Sequence, residues 1–518
     1  MRVIDYFDRG ALLDPGQIAL ISSGERFTYR ELQGVSRRIA AAMARRGIGG
    51  VPHAAILSRN NPLAVQALLG VFRAGAAWVP INPMNAADTN AEIMRYADVE
   101  WLFYHGDSAA QVPRFREAVP TLRHLVCLDR DDGEIPSLAR FMADEGNGPV
   151  PQFPCDPDRL VGIFPTGGTT GPSKAVIHTA LVWQTCFVLA HLHWFTKERP
   201  VFLGVTPMTH AAGLMAYLHT VRGGTMILED GFDPKRWCEA VENHRATHSF
   251  LPPTALYALL AYPGIRKHDF SSLRYFCVAA APVSPDKLRE AVEVLGPCMC
   301  EVFGQAEAPA FLTALSPDEI AAAAAGMKPH LLKSCGRPTM LAKVGIMDDM
   351  GNLLGPRETG EIVSQSFLNV PGYYKKPEAT AEVRQFGWHH TGDVGYFDEE
   401  GYFYIVDRKK DMIITGGFNV FSAEVEQAVL SVDAIQDCAV IGIPDPKWGE
   451  AVTAIVELKP GKTIAADEVI AACKAKLGSV KAPKRIEFLA SLPRTPNGKV
   501  DKATIRKKFW EGRERSVN

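Results

Sequence analysis

Between about residue 50 and residue 300 the chain repeats one texture, a short apolar run followed by a longer amphipathic stretch. HAAILS (53–58) leads into a helical pattern through Leu63–Phe72, and AWVPIN (77–82) follows. WLFYH (101–105), HLVCLD (124–129), VFLGVTPM (201–208), TMILED (225–230) and YFCVAAA (275–281) continue the series, with helix-like segments between several of them. Short apolar strands that alternate with amphipathic helices predict parallel sheets covered by helices. In such sheets ligands bind beyond the carboxyl ends of the strands, where the loops gather. A chain of 518 residues is too long for one hydrophobic core, so two or more domains are required.

A second texture begins near Glu358, with closely spaced, turn-rich strands in GEIVSQS (360–366) and GWHHTGDVGYFDEEGYFYIVDRKKDMI (387–413). The turns DDMG (348–351) and DEEG (398–401) each join alternating apolar residues, as hairpins do. After Asp407 the pattern changes again. SAEVEQAVLSV (422–432) predicts a helix with Ser422 as its N-cap, and CAVIGIP (438–444) and AVTAIVEL (451–458) predict strands around it. The expected fold is therefore α/β. A large body over 1–406 combines parallel and mixed sheets flanked by helices with a β-rich subdomain, and a small α+β domain spans 407–518. No internal repeat is visible, and the alanine run Ala321–Ala325 predicts plain helix.

The formal net charge of -2 leaves no basic face for nucleic acid, and the basic residues Lys507, Lys508, Arg513 and Arg515 suit a solvated terminus. MRVIDYFDRGALLD carries acids and no long apolar stretch, so no signal peptide is expected, and no run of about 18 apolar residues predicts a transmembrane helix. Ten cysteines are scattered without a CxxC pair. The one close couple, Cys298 and Cys300, alternates with apolar neighbours as in a buried strand and has no nearby partner pair for zinc. Reduced thiols and a cytoplasmic location are the expectation.

The strongest local signal is Thr166-Gly167-Gly168-Thr169-Thr170-Gly171-Pro172-Ser173-Lys174, directly after the apolar run LVGIF. Its glycines let backbone N–H groups face one centre, the hydroxyls add donors and the lysine adds charge, which together suit a polyphosphate. It is not a Walker loop, because Ser173 rather than glycine precedes the lysine. A Gly/Thr-rich surface turn is the ordinary alternative.

TGGTTGPSK resembles the phosphate loop of the adenylate-forming superfamily, which contains acyl-CoA synthetases, luciferases and peptide-synthetase adenylation domains. The resemblance continues in order through FTYREL (27–32), RAGAAWVPINP (73–83), PMTHAAG (207–213), AAAPVS (279–284), FGQAE (303–307), GEIV (360–363), TGD (391–393), DRKKDMIITGG (407–417) and PRTPNGK (493–499). It implies that the body binds ATP and a carboxylic acid while the small C-terminal domain swings between two working orientations. It further implies that the acid is activated as an acyl-adenylate and the acyl group then passed to coenzyme A.

The resemblance also assigns roles. Thr166, Gly167, Gly168, Thr169, Thr170, Gly171 and Lys174 would hold phosphate. Ala280, Ala281, Pro282 and Phe303 would form the adenine side of the ATP site, and Gly304 and Gln305 would also bind the nucleotide. Glu307 matches the Mg2+-binding glutamate, and a carboxylate is the right hard ligand for that ion. Asp393, expected in a Thr-Gly-Asp turn, matches the acid that holds the ribose hydroxyls, and Arg408 matches a second contact to ribose or phosphate. Lys499 matches the lysine that bridges the reacting carboxylate and the α-phosphate, where its charge stabilises the transition state. Asp407 matches the hinge, and Gly416 and Gly417 match the loop lining the CoA tunnel. PRTPNGK also fits the pattern at which relatives are switched off by lysine acetylation, which would remove the charge of Lys499. A homodimer stays open.

Without the resemblance, each residue has a bland alternative: Glu307 and Lys499 as solvated charges, Asp393 as a turn aspartate, Phe303 as core, and Gly416-Gly417 as a hairpin turn. His210 resembles a gate at the mouth of the acyl pocket, or is an ordinary loop histidine. The candidate walls HAAGLMAYL (210–218), FLPPTALYALL (250–260), AAAP (279–282) and FGQAEAPAF (303–311), including Ala211, Gly213, Ala279 and Ala308, are almost free of charge. No buried arginine or lysine serves a second carboxylate there, so an apolar acid (medium-chain fatty, alicyclic or aryl) is expected. The chain departs from the family pattern at Ala306 in place of threonine, at Phe303 in place of tyrosine, and at Pro172-Ser173 and Ala175 at the end of the phosphate loop. A ligase that loads a carrier-protein thiol and an inactive nucleotide-binding regulator are the alternatives.

Overall fold

The computed structural model describes residues 1–145, 148–166, 174–208, 211–494 and 500–510. The chain divides into two compact units. The first gathers Met1–Thr166, Ser173–Val344 and Ser364–Arg384, and the second gathers Gly345–Val363 and the chain from Gln385 onward.

The repeating texture of the sequence becomes two helix-flanked sheets in the first unit. Among the described residues one sheet orders its strands as His124–Cys127, Trp101–Tyr104, His53–Leu57, Ala77–Ile81, Leu160–Pro165 and Ala175–Thr179. Its pairs are parallel except the last, where Leu160–Pro165 turns back on Ala175–Thr179. The second sheet orders Arg337–Pro338, Ala308–Leu315, Met299–Gln305, Tyr275–Val278, His248–Leu251, Val201–Gly204, Thr225–Leu228, Ile18–Ser22 and Glu25–Thr28. Its centre is parallel and both its edges are antiparallel.

Local chemistry sets the helix boundaries. Pro62–Ala74 starts on the Asn61 side chain, which accepts from the N–H groups of Leu63 and Ala64, and ends on Gly75 at φ 73°. Pro62 at the first helical position costs nothing there, and glycine takes the left-handed stop without strain. Tyr29–Arg45 starts on a capping box made by Thr28 and Glu31. The N-terminal helix Val3–Leu13 and the strand Ile18–Ser22, which pairs on both sides, were not predicted from sequence. The helix stacks Tyr6 on Phe187 at 3.8 Å between ring centroids, so this stretch belongs to the core of the first unit.

Glu301, in the strand Met299–Gln305, has Val278 and Leu315 as its in-register neighbours, and burial pushes its carboxyl up to about 8. The unfolded chain ionises this group near its ordinary pH, so the folded state loses stability as pH rises from about 4.5 through 8. Glu301→Gln should therefore raise the thermal midpoint at pH 9 while leaving it nearly unchanged at pH 4.5. Melting curves at both pH values, with equal shifts as the contrary outcome, check this.

In the second unit the strands His389–Phe397 and Phe403–Arg408 form an antiparallel hairpin closed by Asp398–Gly401. The C-terminal sheet pairs Phe418–Val420, Ile413–Thr415, Gly449–Leu458 and Ile435–Asp445 in that order, and Arg485–Leu489 runs parallel to Gly449–Leu458. One expectation is corrected here. Ser422 is the first residue of the helix Ser422–Leu430 and caps nothing; Phe421 stands at the N-cap without a side-chain bond. The carboxylate of Asp407 takes the Ser422 N–H instead, so the cap comes from a neighbouring strand. All ten cysteines are free thiols, and among the described residues no helix is long and apolar enough to cross a membrane.

Candidate active site

The strands Val201–Gly204, His248–Leu251, Tyr275–Val278 and Met299–Gln305 are neighbours and parallel, so the loops after them open on one edge of the sheet. That edge carries the expected PMTHAAG, AAAPVS and FGQAE segments. Asn60 pins the first of them: its Nδ2 donates to the carbonyls of Thr206 and Glu229, and its Oδ1 accepts the Met208 N–H at 2.9 Å. A Cβ on Gly213 would lie 2.0 Å from the Met208 carbonyl oxygen, so only glycine fits this approach. Ala280 and its neighbours Ala281 and Pro282 form an exposed loop after Val278 rather than core. Ala280 sits at φ 77°, a left-handed conformation that disfavours a Cβ-bearing residue and so marks a strained loop. Ala279 precedes it half-buried, and Ala308 is fully buried at the start of the next strand.

Glu307 shares a two-residue turn with Ala306 between Met299–Gln305 and Ala308–Leu315. The turn is held from two sides. His178 donates from Nε2 to the Ala306 carbonyl at 2.9 Å, and the Val370 N–H donates to the Glu307 carbonyl at 2.9 Å. Burial lowers the His178 ring to about 4, so it is neutral, and its Nδ1 accepts from Trp183 Nε1 at 3.3 Å. That acceptor role fixes the proton on Nε2, which is the atom facing the turn. The Ala306 methyl packs against Val176, Val182, Val370 and Tyr373, which accounts for an apolar residue at this position. Gly304 admits no side chain, because a Cβ would meet the Ala310 nitrogen at 2.5 Å. Phe303, one step earlier, is buried in the strand, and Gln305 ends it.

The glycine-rich segment begins and ends on paired strands. Thr166 donates its N–H to the Lys174 carbonyl at 2.8 Å, and Pro165 pairs with Ala175. The Lys174 ammonium lies 5.0 Å from the centre of the Tyr373 ring, and the Tyr373 hydroxyl donates to Glu307 Oε1 at 2.7 Å. Burial and then the Glu307 charge hold the Tyr373 phenol well above its ordinary range, so it stays a donor. The end of the glycine-rich segment and the candidate metal ligand, far apart in sequence, thus meet across one aromatic ring. Tyr373 and His178 were missed from sequence. The only signal was the aromatic pair in PGYYKKP, which by itself reads as a turn.

In the second unit Asp393 and Arg408 are cross-strand partners, with Nε of Arg408 3.5 Å from the Asp393 carboxylate. Asp393 lies inside the strand His389–Phe397 and not in a turn as expected, although Gly392 takes φ 73° just before it. Glu361 holds that distortion: Oε1 accepts the Gly392 N–H at 3.0 Å, and Oε2 faces His390 at 3.1 Å and Lys409 at 3.3 Å. Asp407 is buried at the end of the partner strand. Gly416 and Gly417, at φ 57° and 82°, make the turn between Ile413–Thr415 and Phe418–Val420. The hairpin reading is therefore correct, and the turn has a second feature. Gly416 donates its N–H to the Trp448 carbonyl, and a Cβ there would meet the indole at 2.9 Å. Ammonium groups of Lys447 and Lys484 lie 4.8 and 5.9 Å from the same indole.

Gly167, Gly168, Thr169, Thr170, Gly171, His210 and Lys499 lie outside the described residues, as does the side chain of Ala211.

Comparison with known proteins gives matches along the chain. The family model described as AMP-binding enzyme matches residues 7–374, and that of the AMP-binding enzyme C-terminal domain matches residues 424–499. A medium/long-chain-fatty-acid–CoA ligase of Mycobacterium tuberculosis is 35% identical over 480 residues, covering 89% of this chain and 82% of the relative. A feruloyl-CoA synthase of Amycolatopsis sp is 34% identical, covering 97% of this chain and 98% of the relative. Among solved structures, the amide bond synthetase McbA from Marinactinospora thermotolerans superposes with a TM-score of 0.88 at 31% identity, over 98% of this chain and 100% of that one.

Proposed function

Because the chain belongs to the AMP-binding enzyme family, we propose that it is an AMP-forming acyl-CoA ligase that makes an acyl-adenylate and passes its acyl group to coenzyme A. The observation that carries this reading is the convergence of Lys174 and Glu307 on Tyr373 at the carboxyl edge of the sheets. A cation and a carboxylate held apart by one ring suit a polyphosphate that arrives with its own metal ion. Glu307 fits Mg2+, which usually takes one or two protein carboxylates and completes its shell with phosphate and water. Held there by Glu307, such an ion would supply neutralisation of charge on the departing pyrophosphate.

In the first half-reaction a carboxylate oxygen of the acid attacks the α-phosphorus of ATP and pyrophosphate leaves. Lys174 and the N–H groups of the glycine-rich segment hold the phosphates, Asp393 and Arg408 take the ribose side, and Lys499 stabilises charge on the oxygens between acid and α-phosphate. In the second the CoA thiol loses its proton, its sulfur attacks the acyl carbonyl, and AMP leaves. The 1–406 body and the 407–518 domain would pivot at Asp407 between the two steps. The Trp448 indole beside Gly416, with two ammonium groups near it, suits the nucleotide part of CoA, whose base stacks and whose phosphates are anionic.

The uncharged wall segments support an apolar acid, and the fatty and aryl acids named for two relatives are of this kind. Acetylation of Lys499 would silence the first step, and the free thiols suit a reducing, cytoplasmic setting.

The test is AMP release across short to long fatty, benzoic, cinnamic, alicyclic and dicarboxylic acids, with free CoA or a holo-carrier protein as acceptor. CoA-dependent AMP release with an apolar acid is expected. Acylation of the carrier alone would move the assignment to carrier loading, and no acid-dependent AMP at all would leave a nucleotide-binding regulator.

A further inference from the structure

The helix Lys502–Lys507 follows the PRTPNGK segment and carries two cations on one face, Lys502 and Arg506. Both enter a cluster of acids drawn from three earlier elements of the second unit. Lys502 Nζ lies 2.7 Å from Glu426 in the helix Ser422–Leu430 and donates to Ser422 Oγ at 2.8 Å. Ser422 Oγ donates in turn to Asp407 at 3.0 Å, and Arg506 pairs with Asp411 at 2.8 Å. The Lys502 and Glu426 side chains are only 21% and 18% exposed. Burial works against the Lys502 charge, but Glu426, Asp411 and Asp407 outweigh it and hold its pKa above the ordinary value. The same ammonium holds Asp411 down despite its burial. Glu426 and Asp407 stay raised, because burial there exceeds what Lys502 returns. Without Lys502 three carboxylates would face one guanidinium, an uncompensated buried charge of the costly kind.

The entry to the PRTPNGK segment is also fixed. Arg494 pairs with Asp437 at 2.7 Å and its backbone bridges Val500, while Asp501 donates its N–H to the Pro493 carbonyl and caps the helix. Lys499 stands three residues before Lys502 in the chain.

We propose that Lys502 is a positioning residue for Lys499, tying the exit of its segment to Asp407 through the buried cluster. This rests on the reading that Lys499 acts in adenylate formation. A small displacement of a charged group from the reacting oxygens is enough to cost roughly 10²-fold in rate. Lys502→Met should lower acid-dependent pyrophosphate release by about that factor, with the KM for ATP and acid little changed. Thioester formation from supplied acyl-adenylate should be spared.

The doubly neutral variant Lys502→Met/Glu426→Gln removes the unpaired carboxylate and keeps the domain folded, as a melting curve checks. It should show the same selective loss, and Lys502→Arg should restore much of the rate. Lys502→Met added to Lys499→Ala should cost nothing further, since both act through one group. Equal loss in both half-reactions, or wild-type adenylation in the folded double variant while Lys499→Ala is inactive, overturns the positioning role and leaves the function intact. Full adenylation by Lys499→Ala itself overturns the reading beneath it.

Discussion

Lys499→Ala should lower acyl-adenylate formation by roughly 10²–10³-fold, the usual cost of removing a group aimed at charge that develops in the transition state. In the proposed mechanism the ammonium acts between two anions, the acid and the α-phosphate, which repel each other in the ground state and share negative charge as the bond forms. Alanine removes that cation and offers nothing in its place. Thioester formation from chemically prepared acyl-adenylate should be unchanged, because that step ejects AMP from a carbon centre and, in the proposed mechanism, does not use Lys499. Pyrophosphate release reports the first half-reaction and thiol consumption the second. A loss of similar size in both would remove the two-orientation account.

Glu307→Gln should be nearly as damaging, with adenylation down by roughly 10²-fold at ordinary Mg2+ levels, since metal stabilisation of a leaving group is worth several kcal/mol and each 1.36 kcal/mol is tenfold. Glutamine still accepts from the Tyr373 hydroxyl, so the turn held by His178 and Val370 should persist. The loss then belongs to the charge. Raising Mg2+ should recover part of the rate in this variant and little in the wild type. Unaltered adenylation across the whole Mg2+ range would take Glu307 out of the metal site.

The two variants differ in how far the sequence alone supports them. Lys499 and Glu307 are both candidates through motifs that resemble the family's, but the company Glu307 keeps came only from the fold. Tyr373 is 66 positions away and His178 contacts the carbonyl of Ala306 from 128 positions away. Neither spacing has a period or a signature. A neutral buried histidine and a tyrosine after a glycine are ordinary residues until two sheets bring them to one turn. Asp393 shows the opposite error, since a Thr-Gly-Asp triplet has turn chemistry, yet cross-strand pairing with Arg408 keeps it in a strand.

What the sequence by itself determined is the alternation of apolar strands and helices, the carboxyl-edge loops, and which residues are the candidates for phosphate, metal and adenylation roles. These follow from local period, turn chemistry and motifs a few residues long, all of which are written in consecutive positions. Only the tertiary structure decided which distant side chains share a charge: the Lys174–Tyr373–Glu307 contact, the Glu361 brace on Gly392, and the Asp407–Ser422–Lys502–Glu426 cluster. The physical reason is that electrostatic and hydrogen-bond energies depend on distance and burial, which the chain acquires only when its elements pack.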